Sequence, residues 1–343
     1  MPSQFELQGA VNVRKIAQVK LKRLAEGRLG LELFPLVKVN ANVITYEQMG
    51  VFRGLMATRH QSGPAGRARL PGANAWTAPP GYYASTVVID EPDILNRREL
   101  GSWDQWDDDG RQTAMASDLL TQQMLDRMEK NAFDLLFTGS YVVVDQAGTE
   151  AMRDVYPIQQ FTPGTAFSNR SASTPLDFIR TTVATLEAAG VSVDYRGGTL
   201  LMNRSTANEV VGNQNAADIG GKRLANGATA NALEDVNALL LANDLPQIQI
   251  YNEGYYQEPE GTGPFTRFAP TGKIALVGKR TDGEPVGESN VTRAAQNDGQ
   301  AADWFLFVND YRKAVPARIE VTGGFNGGPK AYHPEALAII NAF

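Results

Sequence analysis

The chain has 343 residues, 43% of them hydrophobic and 20% charged, with a net charge of -6 and no cysteine. Those proportions exclude a disordered chain, which has too few apolar groups to bury, and a helical membrane protein, whose spans need about 20 consecutive apolar residues; runs here such as Leu239–Ala242 stop far short of that. The missing cysteine removes disulfides, thiolate metal sites and thiol nucleophiles together, so stability rests on packing and on contacts with other chains.

Residues 12–26, NVRKIAQVKLKRLAE, place Val13, Ile16 and Leu24 near helical spacing with basic residues between and Gly27 behind, which predicts an amphipathic N-terminal arm. The opening MPSQFELQGA lacks signal-peptide architecture, pointing to synthesis inside the cell. In FPLVKVNANVIT, the alternation of Val37, Val39, Ala41 and Val43 predicts a half-buried strand. Residues 51–86 hold Gly and Pro throughout, with neither a helical nor a sustained strand period. A connection of that length is rare in a compact domain, so it is either disordered or an extended arm ordered by a partner. Trp76, Tyr82 and Tyr83 beside arginines favour the arm, because aromatic anchors are scarce in disordered tracts and common at interfaces.

The strongest helix signal covers residues 110–137, where Met115, Leu119, Leu120, Met124, Met128, Ala132, Leu135 and Leu136 form a wide apolar stripe that reads as core. Asp109 with Gln112 gives a start resembling a capping box, and Gly139 a stop. SYVVVD and RDVYPIQQF then predict paired strands joined by a polar turn at 146–149. From about Thr174 helices and strands alternate. A helix with Thr174 as cap and Pro175 at its first position buries Ile179, Val183 and Leu186; strand GTLLMN, a short helix capped by Ser205, helix LEDVNALLLAND and strand IQIYN follow. DWFLFV and ARIEVT predict closing strands, with GGFNGGP leading to a short tail, AYHPEALAIINAF. The whole is an α/β or α+β chain.

Charge is arranged in blocks. Residues 1–39 carry seven basic residues against three glutamates; between Glu47 and Asp90 stand Arg53, Arg59, Arg67 and Arg69 with no acid; from Asp90 to Asp109 there are eight acids against Arg97 and Arg98. Such blocks pair within one subunit, dock a basic arm on a neighbour's acidic strip, or face solvent. The overall negative charge speaks against a general nucleic-acid binder.

Catalytic patterns fail one by one. His60 and His333 have no second histidine at ligand spacing. Asp107, Asp108 and Asp109 point in successive directions and lack the spacing of a calcium loop, so a helix-dipole role before the helix N-terminus explains them better than a metal site. Arg223 stands where a phosphate loop needs Ser or Thr, and Ala216 where it needs its first glycine. Gly261 and Gly263 are followed by Thr266 where a dinucleotide loop needs a third glycine. The stretch YNEGYYQEPEGTGPFTRFAPTGKIALVG, residues 251–278, keeps three tyrosines beside a Gly/Pro/Glu loop with no reactive residue in reach.

That stretch is similar to the phage lambda type of tailed-phage capsid protein, the major capsid protein E family. There too a strand ends near IYNEGYY, a variable turn follows, and an aromatic and a proline, here Phe268 and Pro270, precede a KIALVG strand, here Lys273–Gly278. FPLVKV after a helical arm, APPG in a long loop, a spine-like helix from Gln112 to Phe137 ending in TG, and the tail GGPKAYHPEAL add to the resemblance. It implies an α+β chain of the Hong Kong 97 type: residues 1–35 as N-terminal arm, 50–89 as extended loop, 36–49, 90–172 and 303–322 as peripheral domain, and 173–302 with 323–343 as axial domain and tail. The turn from Tyr251 to Lys273 becomes an axial-domain loop whose tyrosines pack while its tip faces neighbours or solvent.

The resemblance further implies a self-assembling, non-enzymatic shell protein of hexamers and pentamers, located in the virion and assembled in the host cytoplasm, with no cofactor, metal or membrane. Double-stranded DNA would be packaged inside without sequence-specific binding. With no acidic helical extension at the N-terminus, a separate scaffolding protein is expected, beside portal and decoration proteins. No motif matches the lysine to asparagine crosslink of part of the superfamily. Candidate inter-subunit contacts are Arg53, Arg59, Arg67, Arg69, Trp76, Asp107, Asp108, Asp109, Tyr255 and Tyr256. Two other readings stand beside it: a cellular shell holding cargo enzymes, and a metal-assisted hydrolase built on Asp107 to Asp109.

Overall fold

The computed structural model describes residues 27–41, 44–49, 73–78, 80–90, 105–144, 149–189, 193–213, 233–257, 263–281, 283–294, 302–311 and 318–343. In chain order the first elements are α1 (Leu29–Leu33), β1 (Leu36–Lys38), β2 (Ile44–Met49), β3 (Ala73–Ala78), β4 (Gly81–Asp90), α2 (Gln105–Thr138), β5 (Ser140–Val144), β6 (Glu150–Val155) and β7 (Gln159–Phe161). Next come α3 (Pro175–Ala188), β8 (Val193–Met202), α4 (Arg204–Val211), α5 (Leu233–Ala242), β9 (Gln247–Ile250), β10 (Gly254–Tyr256) and β11 (Phe265–Arg267). The chain closes with β12 (Lys273–Arg280), β13 (Gly287–Val291), β14 (Phe305–Asp310), β15 (Arg318–Ala331), a 3-10 turn at Pro334–Ala336 and β16 (Leu337–Asn341).

Two five-stranded sheets organise these elements. One is built on β15, which pairs with β4 along Gly81 to Asp90 and, on its other side, with β14 and then β13; β1 joins β13 in parallel. The other runs β7-β16-β12-β8-β9. Three two-stranded pairs stand apart: β2 with β3, β5 with β6, and β10 with β11.

Helix α2, at 34 residues about 50 Å long, ties the sheets together. Its first half lies on the β15 sheet, with Ala116 and Leu120 against Ile89, Ile319 and Val321, then Met124, Leu125 and Met128 against Val291 and Phe325. Its last turns pack Phe133, Leu136 and Phe137 with Tyr251, Phe268, Val277 and Ile339 of the second sheet and its connections. Gly139, at φ +71, stops the helix, donating its N–H to the Leu135 carbonyl, while Lys273 Nζ donates to the Phe137 carbonyl at 3.1 Å. The second sheet has a separate aliphatic core of Ile179, Val183 and Leu186 from α3 with Leu200, Met202, Ile274, Leu276 and Ile340.

Several expectations change. The strand expected from the alternation of Val37 to Val43 is interrupted: β1 ends at Lys38, β2 begins at Ile44, and the two pair with different strands. The stretch 51–86 contains β3 and the start of β4, although no strand period marks them; cross-strand partners hold them, Thr77 opposite Thr45 and Tyr83 opposite Phe325. Helix α2 begins at Gln105, so Asp107 to Asp109 lie inside its first turns, and Asp109 is not its cap. Met115 and Leu119 are exposed rather than core. The short helix α4 is capped by Asn203, whose Oδ1 accepts from the Thr206 N–H at 2.8 Å, and not by Ser205. The predicted N-terminal helix at 12–26 lies outside the described residues.

GGFNGGP, expected only to lead into the tail, lies within β15. A Cβ on Gly324 would stand 2.2 Å from the Tyr83 carbonyl, and one on Gly327 would stand 1.9 Å from that of Asn290, so three backbones meet where only glycine fits. Pro329 is tolerated because it lies past the last β4 pair, Gly81 opposite Gly327, while Ser289 opposite it gives its N–H to Pro35 instead. The supposed tail supplies β16, a strand buried from Leu337 to Ile340 between β7 and β12.

Candidate functional site

The tyrosine-rich stretch after β9 divides into an inner and an outer part. Tyr251 stacks on Phe133 at 4.9 Å, and its hydroxyl donates to Glu129 Oε1 at 2.7 Å. Tyr255 stacks on Phe268 at 5.5 Å with Lys130 Nζ 6.0 Å from its ring centre. Both fasten the stretch to α2. Tyr256 and Phe265 stand opposite each other in the β10–β11 hairpin, in an edge contact at 5.5 Å, and each is 52% exposed. An aromatic pair left half in water at a hairpin is surface available to another chain.

Glu129 is the point where three segments meet. Besides the Tyr251 hydroxyl it accepts the Gly30 N–H at 2.9 Å, which docks α1 on α2, and one turn earlier Arg28 pairs with Asp126 at 2.6 Å. A side chain at position 30 would collide with Glu129 Oε2 at 2.7 Å, so this approach requires glycine. Burial raises the Glu129 carboxyl above its ordinary range, against the lowering effect of the Gly30 and Tyr251 hydrogen bonds and of Arg28. Burial, reinforced by Glu129, also pushes the Tyr251 phenol up, so it stays a donor.

A second polar group sits under β15. Lys330, 1% exposed, pairs with Asp154 of β6 and lies 5.8 Å from the Tyr141 ring centre. The Tyr141 hydroxyl contacts that of Tyr83 at 2.7 Å and donates to the Gly327 carbonyl at 3.1 Å, and Arg127 covers the Tyr83 ring at 4.6 Å. Burial lowers the Lys330 ammonium while Asp154 opposes that, and burial with Tyr83 pushes the Tyr141 phenol well up. These perturbed groups are locked to one another inside the joint between sheet and hairpin. Ion-pair and hydrogen-bond partners of this kind shift pKa values in purely structural networks as well as in catalytic sites. Among the described residues no group of three His, Asp or Glu side chains is placed to hold a metal ion. His333 Nδ1 stands 3.1 Å from Glu335 Oε1.

Of the residues singled out by sequence, Tyr255 is partly buried against the core and Tyr256 is exposed. Trp76 lies in β3, and Asp107, Asp108 and Asp109 lie in the first turns of α2; Arg53, Arg59, Arg67 and Arg69 fall outside the described residues. The structure adds Phe265, the partner of Tyr256, together with Met115 and Leu119 on the open side of α2 and Tyr82 on β4. Phe265 lies within the stretch 251–278 that the sequence sets apart, but nothing in the sequence distinguishes it there. Met115 and Leu119 carried no signal to set them apart, because a helical stripe looks alike whether a sheet or a neighbour covers it.

Residues 15–286 match the family described as phage major capsid protein E. Among solved structures, a prophage protein of E. coli CFT073 described as a capsid protein superposes with a TM-score of 0.53 at 14% identity, covering 79% of this chain and 80% of that one. A phage-related protein of Bordetella bronchiseptica RB50 gives 0.53 at 13%, covering 94% and 95%. The capsid of Myoviridae phage XM1 gives 0.51 at 12%, covering 90% of both. No curated protein matches the chain. The superpositions establish a Hong Kong 97-like capsid fold, and the family match over most of the length establishes the rest: the chain belongs to the phage major capsid protein E family.

Proposed function

We propose that this subunit closes its shell through a projecting two-stranded ribbon, β2 and β3, that crosses onto the neighbouring copy. As a member of its family the protein is a structural component of the phage head, assembling with copies of itself into an icosahedral capsid. What supports the ribbon is one observation: β2 and β3 pair in register from Ile44 opposite Ala78 to Met49 opposite Ala73, and with no other described strand. An isolated pair of strands is at best marginally stable in water, so such an element needs a surface to lie on. The segment it holds together carries Arg53, Arg59, Arg67 and Arg69 without an acid between Glu47 and Asp90. An acidic strip on the next subunit, with Asp107 to Asp109 at the start of α2, is the complementary surface.

On this reading the projecting arm is 44–78, narrower than the loop 50–89, because β4 is bound along its length to β15. Residues 1–35 act as N-terminal arm, α2 with β14 and the first part of β15 form the peripheral domain, and residues 173–302 with 323–343 form the axial domain. Strand β15 runs through the boundary at 322 and joins the two domains as one beam. Hexamers and pentamers accumulate many weak contacts of this kind, which add by multivalency. Packaged double-stranded DNA fills the shell without sequence-specific contacts, and a net charge of -6 avoids a subunit that clings to it. Separate scaffolding, portal and decoration proteins complete assembly, which takes place in the host cytoplasm. A cellular cargo shell and a hydrolase on Asp107 to Asp109 gain no support from the family match or from the site's geometry.

The test replaces residues 53–69 with a short glycine-containing turn. The expected product is a soluble subunit with an unchanged unfolding transition that forms no shells by electron microscopy. Particles of normal size and yield would refute the ribbon.

A further inference from the structure

Between α2, β13 and β15 lies a small cavity walled by Met128, Asn131, Ser289, Phe325 and Pro329 among others, with about 10 Å³ available to the centre of a water-sized sphere. Buried atoms of three of its wall residues, Asn131 Nδ2, Ser289 Oγ and Asn290 Oδ1, make no hydrogen bond to any protein group. The three residues are 1%, 5% and 1% exposed, so none of these atoms reaches bulk solvent. Strand pleating places Ser289 on the same face as Val291, which packs against Met124, Leu125 and Met128, so its hydroxyl is turned toward the helix that carries Asn131. Asn290, between them, is turned the other way, and its amide donates to the Tyr332 hydroxyl at 3.4 Å.

Natural interiors seldom leave a buried donor without an acceptor, and a dry cavity is lined by apolar groups alone. A site for one water needs roughly 10–15 Å³ of such space and two or more polar partners. We infer that this cavity holds one structural water, which accepts a hydrogen bond from Asn131 Nδ2 and shares another with Ser289 Oγ, joining α2 to the strand on which β1 is paired. Neither partner is charged, which fits a neutral ligand and not an ion. The water stands where the chain arriving from α1 is seated: the Ser289 N–H is given to Pro35, the residue between α1 and β1. It therefore fixes helix, sheet and incoming arm in one place, through a residue whose backbone and side chain serve different partners.

The experiment is a reconstruction of the assembled shell at a resolution that shows ordered solvent. A peak within hydrogen-bond distance of both Asn131 Nδ2 and Ser289 Oγ is expected; an empty cavity, or a direct bond between the two side chains, overturns the assignment. In the purified subunit, Asn131→Ala and Ser289→Ala should each lower Tm, and the double variant should lose clearly less than the sum, because either change releases the same water. Additive losses would overturn it. The density is read from the unaltered shell, so the test stands even where a variant does not fold.

Discussion

In the sheet centred on β12 the buried positions are Leu200, Met202, Ile274, Leu276 and Ile340, while in the sheet centred on β15 the middle strand offers Gly323, Gly324, Gly327 and Gly328, and Lys330 and Ser289 are buried beside them. The first sheet is held by aliphatic area covered by its own helices, and a slip of one residue would turn that area into water. Glycines carry no such penalty. Register in the glycine-rich half of β15 must therefore come from specific polar pairs and from backbones that approach too closely for a side chain, although Ile319, Val321 and Phe325 still bury apolar area against α2. The β12 sheet is stabilised chiefly by area and the β15 sheet by area and geometry together, and the sheet that needs geometry is the one that receives α1.

The sharpest way to break that contrast is Asp154→Ala. It leaves the buried Lys330, 1% exposed, without its anion, and an orphaned buried charge costs about 3–5 kcal/mol. Chemical unfolding should show that loss, and Lys330→Met with Asp154→Asn should recover most of it, because a neutral pair has no unmatched charge to bury. If the double variant is as damaged as the single one, the pair is not what fixes the joint. Leu276→Ala, in the aliphatic sheet, should cost about 3 kcal/mol through lost transfer and cavity energy, with no polar substitution able to restore it.

The same contrast explains what the sequence shows. Helix α2 from Gln112 onward, α3, β8, α5 and β12 are legible because aliphatic burial leaves a period in the chain. Strand β15 is legible only in its first part, ARIEVT; its glycine-rich part is not, since glycine has low strand propensity and its reasons for being there, the carbonyls of Tyr83 and Asn290, are far away in sequence. Strand β16 looks like a tail for a related cause: its partners, Lys273–Val277 and Gln159–Phe161, are remote. Met115 and Leu119 precede Ala116 and Leu120 by one residue, about 100° around the helix, and only the position of the sheet decides which pair is covered. Glu129 reads as a surface charge within a helix until α1 and Tyr251 are seen closing over it.

A smaller effect, visible as a slope, concerns that glutamate. Burial raises its carboxyl, so the folded protein holds the proton more tightly than the unfolded chain does. Its contribution to stability is present in full below the unfolded value, about 4.3, and is lost as pH rises through the folded value. Glu129→Gln, permanently neutral, should remove this dependence: its Tm relative to the natural protein should climb as pH rises across that window. The Tyr251 phenol that bonds to the carboxyl is pushed up by burial and by Glu129, away from this window, so it adds no slope of its own there. A difference that is flat or falls with pH would mean that the carboxyl is not held protonated by burial.

The smallest effect on the subunit should accompany the largest on the shell. Tyr256 and Phe265 are half exposed and meet in an edge contact, so replacing both with serine should alter unfolding free energy by no more than about 0.5–1 kcal/mol. Tyr255→Ser, by contrast, removes a ring stacked on Phe268 and should destabilise the isolated subunit measurably. Assembly reverses the order. Each copy repeats the exposed pair, and a modest loss per contact is multiplied around every ring, so the serine pair should raise the threshold concentration for shells, followed by light scattering, well beyond what its Tm would suggest. An unchanged threshold would assign the hairpin to solvent and leave the ribbon and the open side of α2 as the surfaces on which the shell is built.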